Sequence, residues 1–278
     1  MRWLGRRTSD NVDDRRGSGM GGKIALGGIG TIIVAVLTLV MGGSPSDVIN
    51  VISNQTEQAA PPTAEENEEA QFVKVVLGDT EDVWNKLFAE KLNKKYEEPT
   101  LVLFSGTDQS GCGTASASTG PFYCPTDRKV YIDLSFYREL KERFHAPGDF
   151  AMAYVVAHEV GHHVQNLLGT ADKVRQAQSG MSQKQINALS VKVELQADFY
   201  AGVWAHYDQK LGVLEPGDIE EALAAANAIG DDRLQKEANG RVVPDAFTHG
   251  TSEQRMYWFK KGYETGDISQ GDTFSSNE

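Results

Sequence analysis

The sequence predicts a mainly helical α+β domain with a small sheet, preceded by one amino-terminal transmembrane helix. Three observations carry this reading. Apolar residues Trp84, Leu87, Phe88 and Leu92 recur at three- and four-residue spacing, the pattern of a helix with one buried face. Two short runs rich in β-branched and aromatic residues, TLVLF and KVYIDLS, precede the central helical segment. Near the start, Ile24 to Met41 carries no charged residue.

That charge-free run reads IALGGIGTIIVAVLTLVM. As a helix it would span roughly 27 Å, enough to cross a hydrocarbon core. A cleaved signal peptide is the alternative, since Gly42, Gly43 and Ser44 are small. The apolar core of a signal peptide is usually shorter, about 7 to 15 residues. Residues 1–23 form a basic head with six basic and three acidic residues, a net of +3, in a chain whose formal charge is -12. The positive-inside rule then expects a cytoplasmic head and an exported acidic body. So acidic a chain is a poor partner for nucleic acid.

Residues 42–66, rich in Gly, Ser, Pro, Asn and Gln, read as a flexible linker. A globular domain is expected over 67–268 and a disordered polar tail over 269–278. Within the domain, Glu68 to Tyr96 reads as helix with a break at Gly78-Asp79, and Thr100 to Phe104 as a strand. Ser105 to Gly120 reads as loop; PFYC, a PTDR turn and KVYIDLS suggest a hairpin. Helices are expected over 135–144, 150–168, 182–210, 218–228, 231–238 and 251–263. Asp149 is the expected N-cap of the second of these. Cys112 and Cys124 are a disulfide candidate if the body is exported. Two zinc ligands or two free thiols are the alternatives.

The segment AYVVAHEVGHHVQNLLG carries the chemistry. His158 and His162 lie four residues apart, so on a helix they differ by about 40° and one turn, and both rings can reach one metal. Glu159 lies about 100° round from His158, where it can take a proton from a metal-activated water without being a ligand. The uncharged flanks Tyr154 to Ala157, Val160 and Val164 argue against a chance match on an exposed face. Gly161, unfavourable within a helix, fits a close approach by another helix or by the site itself. A catalytic zinc needs a third protein ligand. VKVELQADFYAGVWAHY offers Glu194 for that place and Asp198, on the same helix face, as hydrogen-bond partner of a ligand histidine.

HEVGH followed by ELQAD resembles the gluzincin arrangement. GCGTASASTGPFYCPTDRKVYIDLSF, VVAHEVGHHVQ, VELQADFYAGVWAH and HGTSEQR together resemble the YpfJ-like neutral zinc metallopeptidases of bacteria, over roughly residues 67–265. The resemblance implies a zincin-like fold, Zn2+ held by His158, His162 and Glu194, Glu159 as general base, Asp198 behind a ligand, and a protein or peptide substrate. It places the chain in the bacterial inner membrane through its amino-terminal helix, with the catalytic domain periplasmic or extracellular. FTHGTSEQR is also similar to a late stretch of membrane-associated gluzincins, which makes His249 or Arg255 a candidate for stabilising an oxyanion; a turn histidine and a surface arginine are the alternative. His163, His206 and His145 read as structural. A membrane-anchored zinc-binding interaction module is the rival function, and Glu159 argues against it.

Overall fold

The computed structural model describes residues 1–17 and 61–275. The expected span Ile24–Met41 and most of the expected linker lie outside the described residues. Among the described residues, no helix is long and apolar enough to cross a membrane.

Helix α1, Ala64–Leu92, begins inside the expected linker. Thr63 caps it reciprocally with Glu66: the Glu66 amide donates to Thr63 Oγ1 at 3.1 Å and the Thr63 amide to Glu66 Oε2 at 2.6 Å. The helix runs through Gly78-Asp79 without the expected break. Gly78 is there because the Arg7 carbonyl lies against it, 3.1 Å from where a Cβ would stand.

A four-stranded sheet has the order β1-β2-β6-β5, with β1 Val12–Asp14, β2 Thr100–Phe104, β5 Phe122–Cys124 and β6 Lys129–Asp133. β5 and β6 form the expected hairpin, antiparallel, with Tyr123 opposite Val130. β6 runs parallel to β2, and β1 parallel to the other side of β2. The Gly-, Ser- and Thr-rich stretch read as loop holds a separate hairpin, β3 Thr107–Ser110 and β4 Gly113–Ser116. Its composition lacks apolar alternation because little of it is buried. The disulfide Cys112–Cys124 ties its tip to β5.

Among the described residues, seven further α-helices complete the domain: α2 Ser135–Glu142, α3 Asp149–Leu167, α4 Thr170–Ala177, α5 Gln183–Lys210, α6 Asp218–Ala228, α7 Asp231–Asn239 and α8 Ser252–Thr265. α3 is the central element, packed by α1, α5 and α6 and buried along almost its whole length. Its N-cap is Gly148 rather than Asp149. A Cβ at Gly148 would lie 2.0 Å from the Glu221 carboxyl carbon, and Glu221 Oε2 accepts from the Phe150 amide at 3.1 Å. Asp149 instead joins Asp218 in holding the Met1 ammonium, at 3.0 and 3.2 Å.

Two expectations about the chain's ends need correction. The tail is not free over its described part: Thr273 Oγ1 donates to the Lys192 carbonyl at 2.6 Å, and Gln196 Nε2 to the Gly271 carbonyl at 2.7 Å. The head is not a separate unit either, because residues 1–17 add β1 to the sheet and dock on α1.

Near that docking surface, Asp208 on α5 is fully buried, and neither of its oxygens has a hydrogen-bond partner among the described residues. Burial, aided by the Asp79 charge and opposed by Arg6, pushes its pKa up to about 8. The native state then holds a proton that the unfolded chain releases above about pH 4, so this group's contribution to stability falls as pH rises from 4 to 8. Thermal melts across that range should show a Tm that falls more steeply with pH for wild type than for Asp208→Asn. Parallel slopes would contradict the assignment.

Candidate metal centre

The two longest helices after α1 cross at the site. Gly161 of α3 makes the crossing close: a Cβ there would lie 2.8 Å from the Ala197 carbonyl oxygen of α5. The approach by another helix expected at Gly161 is therefore by α5. It brings His158, His162 and Glu194 together, with one ligand atom from each lying within 4.8 Å of the others. Glu194 Oε2 is 3.1 Å from His158 Nε2 and 3.5 Å from His162 Nε2.

The chemistry of this donor set fits a divalent metal. His158 Nδ1 donates to Asp198 Oδ1 at 2.8 Å. His162 Nδ1 donates to Gln165 Oε1 at 2.9 Å. Gln165 is itself oriented, since its Nε2 donates to the Val193 carbonyl at 2.7 Å and to Gln196 Oε1 at 3.1 Å. With both Nδ1 atoms donating to Asp198 and Gln165, both Nε2 atoms face Glu194 and are the atoms a metal would take in exchange for their protons.

Charge points the same way. Burial alone would lower the pKa of His158, but the Asp198 charge and hydrogen bonds to Asp198 and Glu194 outweigh it and raise it to about 10. His162 is raised too, Glu194 outweighing burial. Burial would raise Glu194, yet the two histidines hold it well below the carboxylate range. The pocket is thus built to contain positive charge between its imidazoles and carboxylates, which a divalent ion provides without protons on Nε2.

Behind the ligands lies a buried network. Asp198 Oδ1 accepts from Tyr154 Oη at 2.5 Å and Arg255 Nη2 at 3.0 Å, and its Oδ2 accepts from Arg255 Nε at 2.9 Å. Burial would raise the pKa of Asp198, but Arg255 and His158 bring it down to about 2. Arg255 also donates to the Ile229 carbonyl at 3.3 Å and is 2% exposed. Its guanidinium is thus paired with Asp198 in the interior, which corrects the reading of Arg255 as a surface residue. α8, which carries it, lies close on α5: Cβ atoms at Gly202 and Gly262 would meet the Phe259 and Phe199 carbonyl oxygens at 2.0 and 2.1 Å.

Glu159 and His249 both line the cleft above the ligands, a cavity of about 770 Å³ walled by Phe122, Tyr123, Phe136, Val174 and Leu234. His249 Nδ1 lies 3.2 Å from Asp231 Oδ1. Asp231 Oδ2 also accepts from the backbone amides of Thr248, His249 and Gly250. The Asp231 bond raises the His249 pKa against burial. His163 points away from the cleft. Its Nε2 donates to the Glu97 carbonyl at 2.6 Å and its Nδ1 accepts from Tyr123 Oη at 3.0 Å, so the neutral ring fixes β5 beside α3; burial lowers its pKa to about 4. His206 donates to the Tyr263 carbonyl at 2.7 Å, a structural bond as expected.

Gln165, Asp231 and Tyr154 are not singled out by sequence reasoning. Gln165 carries a local signal, since it lies three residues after His162 on the same helix face. A second acidic group, Asp149, Asp218 and Glu221, also has metal-like spacing, but it holds the Met1 ammonium.

Fold and site define a chain in which two histidines and a glutamate that could hold a metal ion converge on two crossed helices, open to a cleft beside a buried glutamate. The chain belongs to the family described as "Putative neutral zinc metallopeptidase", whose model matches residues 1–274. At family level this carries zinc and hydrolysis. It is similar to "Uncharacterized protein YpfJ" of Escherichia coli K12, 50% identical over 287 aligned positions and the full length of both chains. It is also similar to "Uncharacterized protein Rv2575" of Mycobacterium tuberculosis, 45% identical over 225 positions, 77% of this chain and 73% of that protein. No solved structure matches.

Replacing Gln165 by Ala should weaken zinc binding about 10-fold or more, as loss of such ligand-orienting groups does, with the fold retained. Chelator competition with circular dichroism in parallel measures both; unchanged affinity would remove Gln165 from the centre.

Proposed function

We propose that the chain is a zinc-dependent peptidase acting on protein or peptide substrates, with His158, His162 and Glu194 as metal ligands and Glu159 as general base. The observation that carries the proposal is the joint placement of three converging ligand atoms and Glu159 at the floor of one cleft. A purely structural zinc site is usually closed by four protein ligands, whereas three with an open face suit catalysis.

Zinc bound there supplies Lewis acidity, lowering the pKa of a water and polarising the scissile carbonyl. Glu159 lies one residue, about 100°, round α3 from His158 and lines the same cleft, so its carboxylate would be within reach of a water held there. Its carboxylate would accept the proton of the attacking water and return it to the leaving amine. His249, held by Asp231 at the cleft wall, donates a hydrogen bond to the developing oxyanion in its protonated form. Asp198 keeps His158 in the ligating tautomer and balances its charge, and Arg255 keeps Asp198 ionised. The cleft's aromatic and aliphatic walls suit apolar side chains beside the cleaved bond.

Glu159→Gln should keep zinc and lose turnover by roughly 10²- to 10⁴-fold. The test uses the purified full-length chain, zinc-loaded, against a fluorogenic peptide library. If wild type cleaves no member faster than Glu159→Gln, the chain is better described as a zinc-binding interaction module. His249→Ala should lower kcat by about 10²-fold with zinc content unchanged. Because Asp231 raises the His249 pKa, the donor is lost as pH rises through that pKa, so wild-type activity should decline on the alkaline side. His249→Ala should lack that limb; an unaltered pH profile would exclude His249 from the reaction.

A further inference from the structure

We infer that the amino-terminal head and the catalytic body share one compartment, on the same side of any bilayer the chain meets.

The head is built into the body by several independent contacts. β1 lies parallel to β2 with Val12, Asp13 and Asp14 opposite Leu101, Val102 and Leu103. The Leu101 amide donates to the Asn11 carbonyl at 2.9 Å and the Arg15 amide to the Leu103 carbonyl at 2.8 Å, so the ladder bonds run both ways. On α1, two buried carboxylates meet donors from the head. Asp79 takes Arg6 Nη2 at 2.6 Å and Arg6 Nε at 3.2 Å. Glu81 takes Arg7 Nη1 at 2.9 Å, Ser9 Oγ at 2.5 Å and Asn11 Nδ2 at 2.9 Å. Asp79 and Glu81 are 3% and 1% exposed, so without the head these donors would be gone from two charges in the core of the helix. Arg6 and Arg7, two of the basic residues that suggested a cytoplasmic anchor flank, are counter-charges of carboxylates in the body.

The head's exit and the body's entry are also joined. Arg16, at the end of the described head, donates from Nη1 to the Glu66 carbonyl at 2.6 Å and from Nη2 to Asn67 Oδ1 at 3.3 Å. Residues 16 and 66 therefore meet at the first turn of α1. A single crossing of roughly 30 Å of hydrocarbon would put these two residues on opposite sides of the bilayer. The sequence between them has only one charge-free run of spanning length, Ile24–Met41; residues 42–63 carry Asp47 and Glu57 among polar residues and offer no second span. Docking of the head and a single crossing exclude each other. The inference is independent of the proposed peptidase activity.

The test is made on the full-length chain in cell membranes. Single cysteines are placed at two exposed positions, Asp10→Cys in the head and Glu253→Cys in the body, and treated with a membrane-impermeant maleimide before and after lysis. Both should react under the same condition, either before lysis or only after it. Reaction of one before lysis and the other only after would overturn the inference. As a second measurement, Asn11→Cys and Glu98→Cys are combined, since Asn11 Nδ2 lies 2.7 Å from Glu98 Oε2. A short bis-methanethiosulfonate reagent should link them within one chain. Absence of the link in protein whose two cysteines each react singly would equally overturn the docking.

Discussion

The carboxylate of Asp198 is the constraint on which the site depends. It is fully buried and accepts hydrogen bonds from His158, Tyr154 and Arg255. Leaving either Asp198 or Arg255 unpaired at this depth would cost about 3–5 kcal/mol. α5 and α8 must therefore stay in contact, and the glycines at 202 and 262 allow the backbones to come that close. The same carboxylate fixes the His158 ring, so helix packing and ligand tautomer are set by one group. Tyr154, one turn before His158 on α3, ties the third helix to this pair.

With its two histidines neutral, the centre would carry an excess of buried negative charge. Glu194 and Asp198 are both held ionised, and Arg255 answers only Asp198 directly. Protonated histidines would balance Glu194 but would occupy the very Nε2 atoms that converge on it. A divalent cation balances the charge and uses those atoms, so binding should release protons and add to folding stability. Gln165 performs for His162 what Asp198 does for His158, with a neutral oxygen. The two ligand histidines thus differ in basicity, the one backed by a carboxylate being the stronger donor.

Much of this was legible in the sequence because it is local. HEVGH and ELQAD are each read on a single helix, where spacing fixes direction. The α3, α5, α6 and α7 segments and the β5–β6 hairpin are set by periodicity and turn residues. The features that escaped depend on contacts between distant segments. Asp231 and His249 are far apart in sequence and meet only when α7 and the turn before α8 converge. Arg255 looked exposed because charge and a capping turn dominate its surroundings, yet the helix rotates it inward. β1 is three residues within a basic stretch, and its charges suggested a cytoplasmic flank when their partners Asp79 and Glu81 lie on α1. The β3–β4 hairpin, with little burial, has no apolar alternation to reveal it.

The claim on which the account depends is that α3 and α5 together hold one zinc. Elemental analysis of the full-length chain, purified without chelator, beside Glu194→Ala and the His158→Ala/His162→Ala double variant, addresses it most directly. About one zinc per wild-type chain is expected, lost in both variants. A wild-type chain that is metal-free and takes up no zinc in its native state would contradict it, and the convergence of these three side chains would then be an ion-paired cluster of protonated histidines around Glu194.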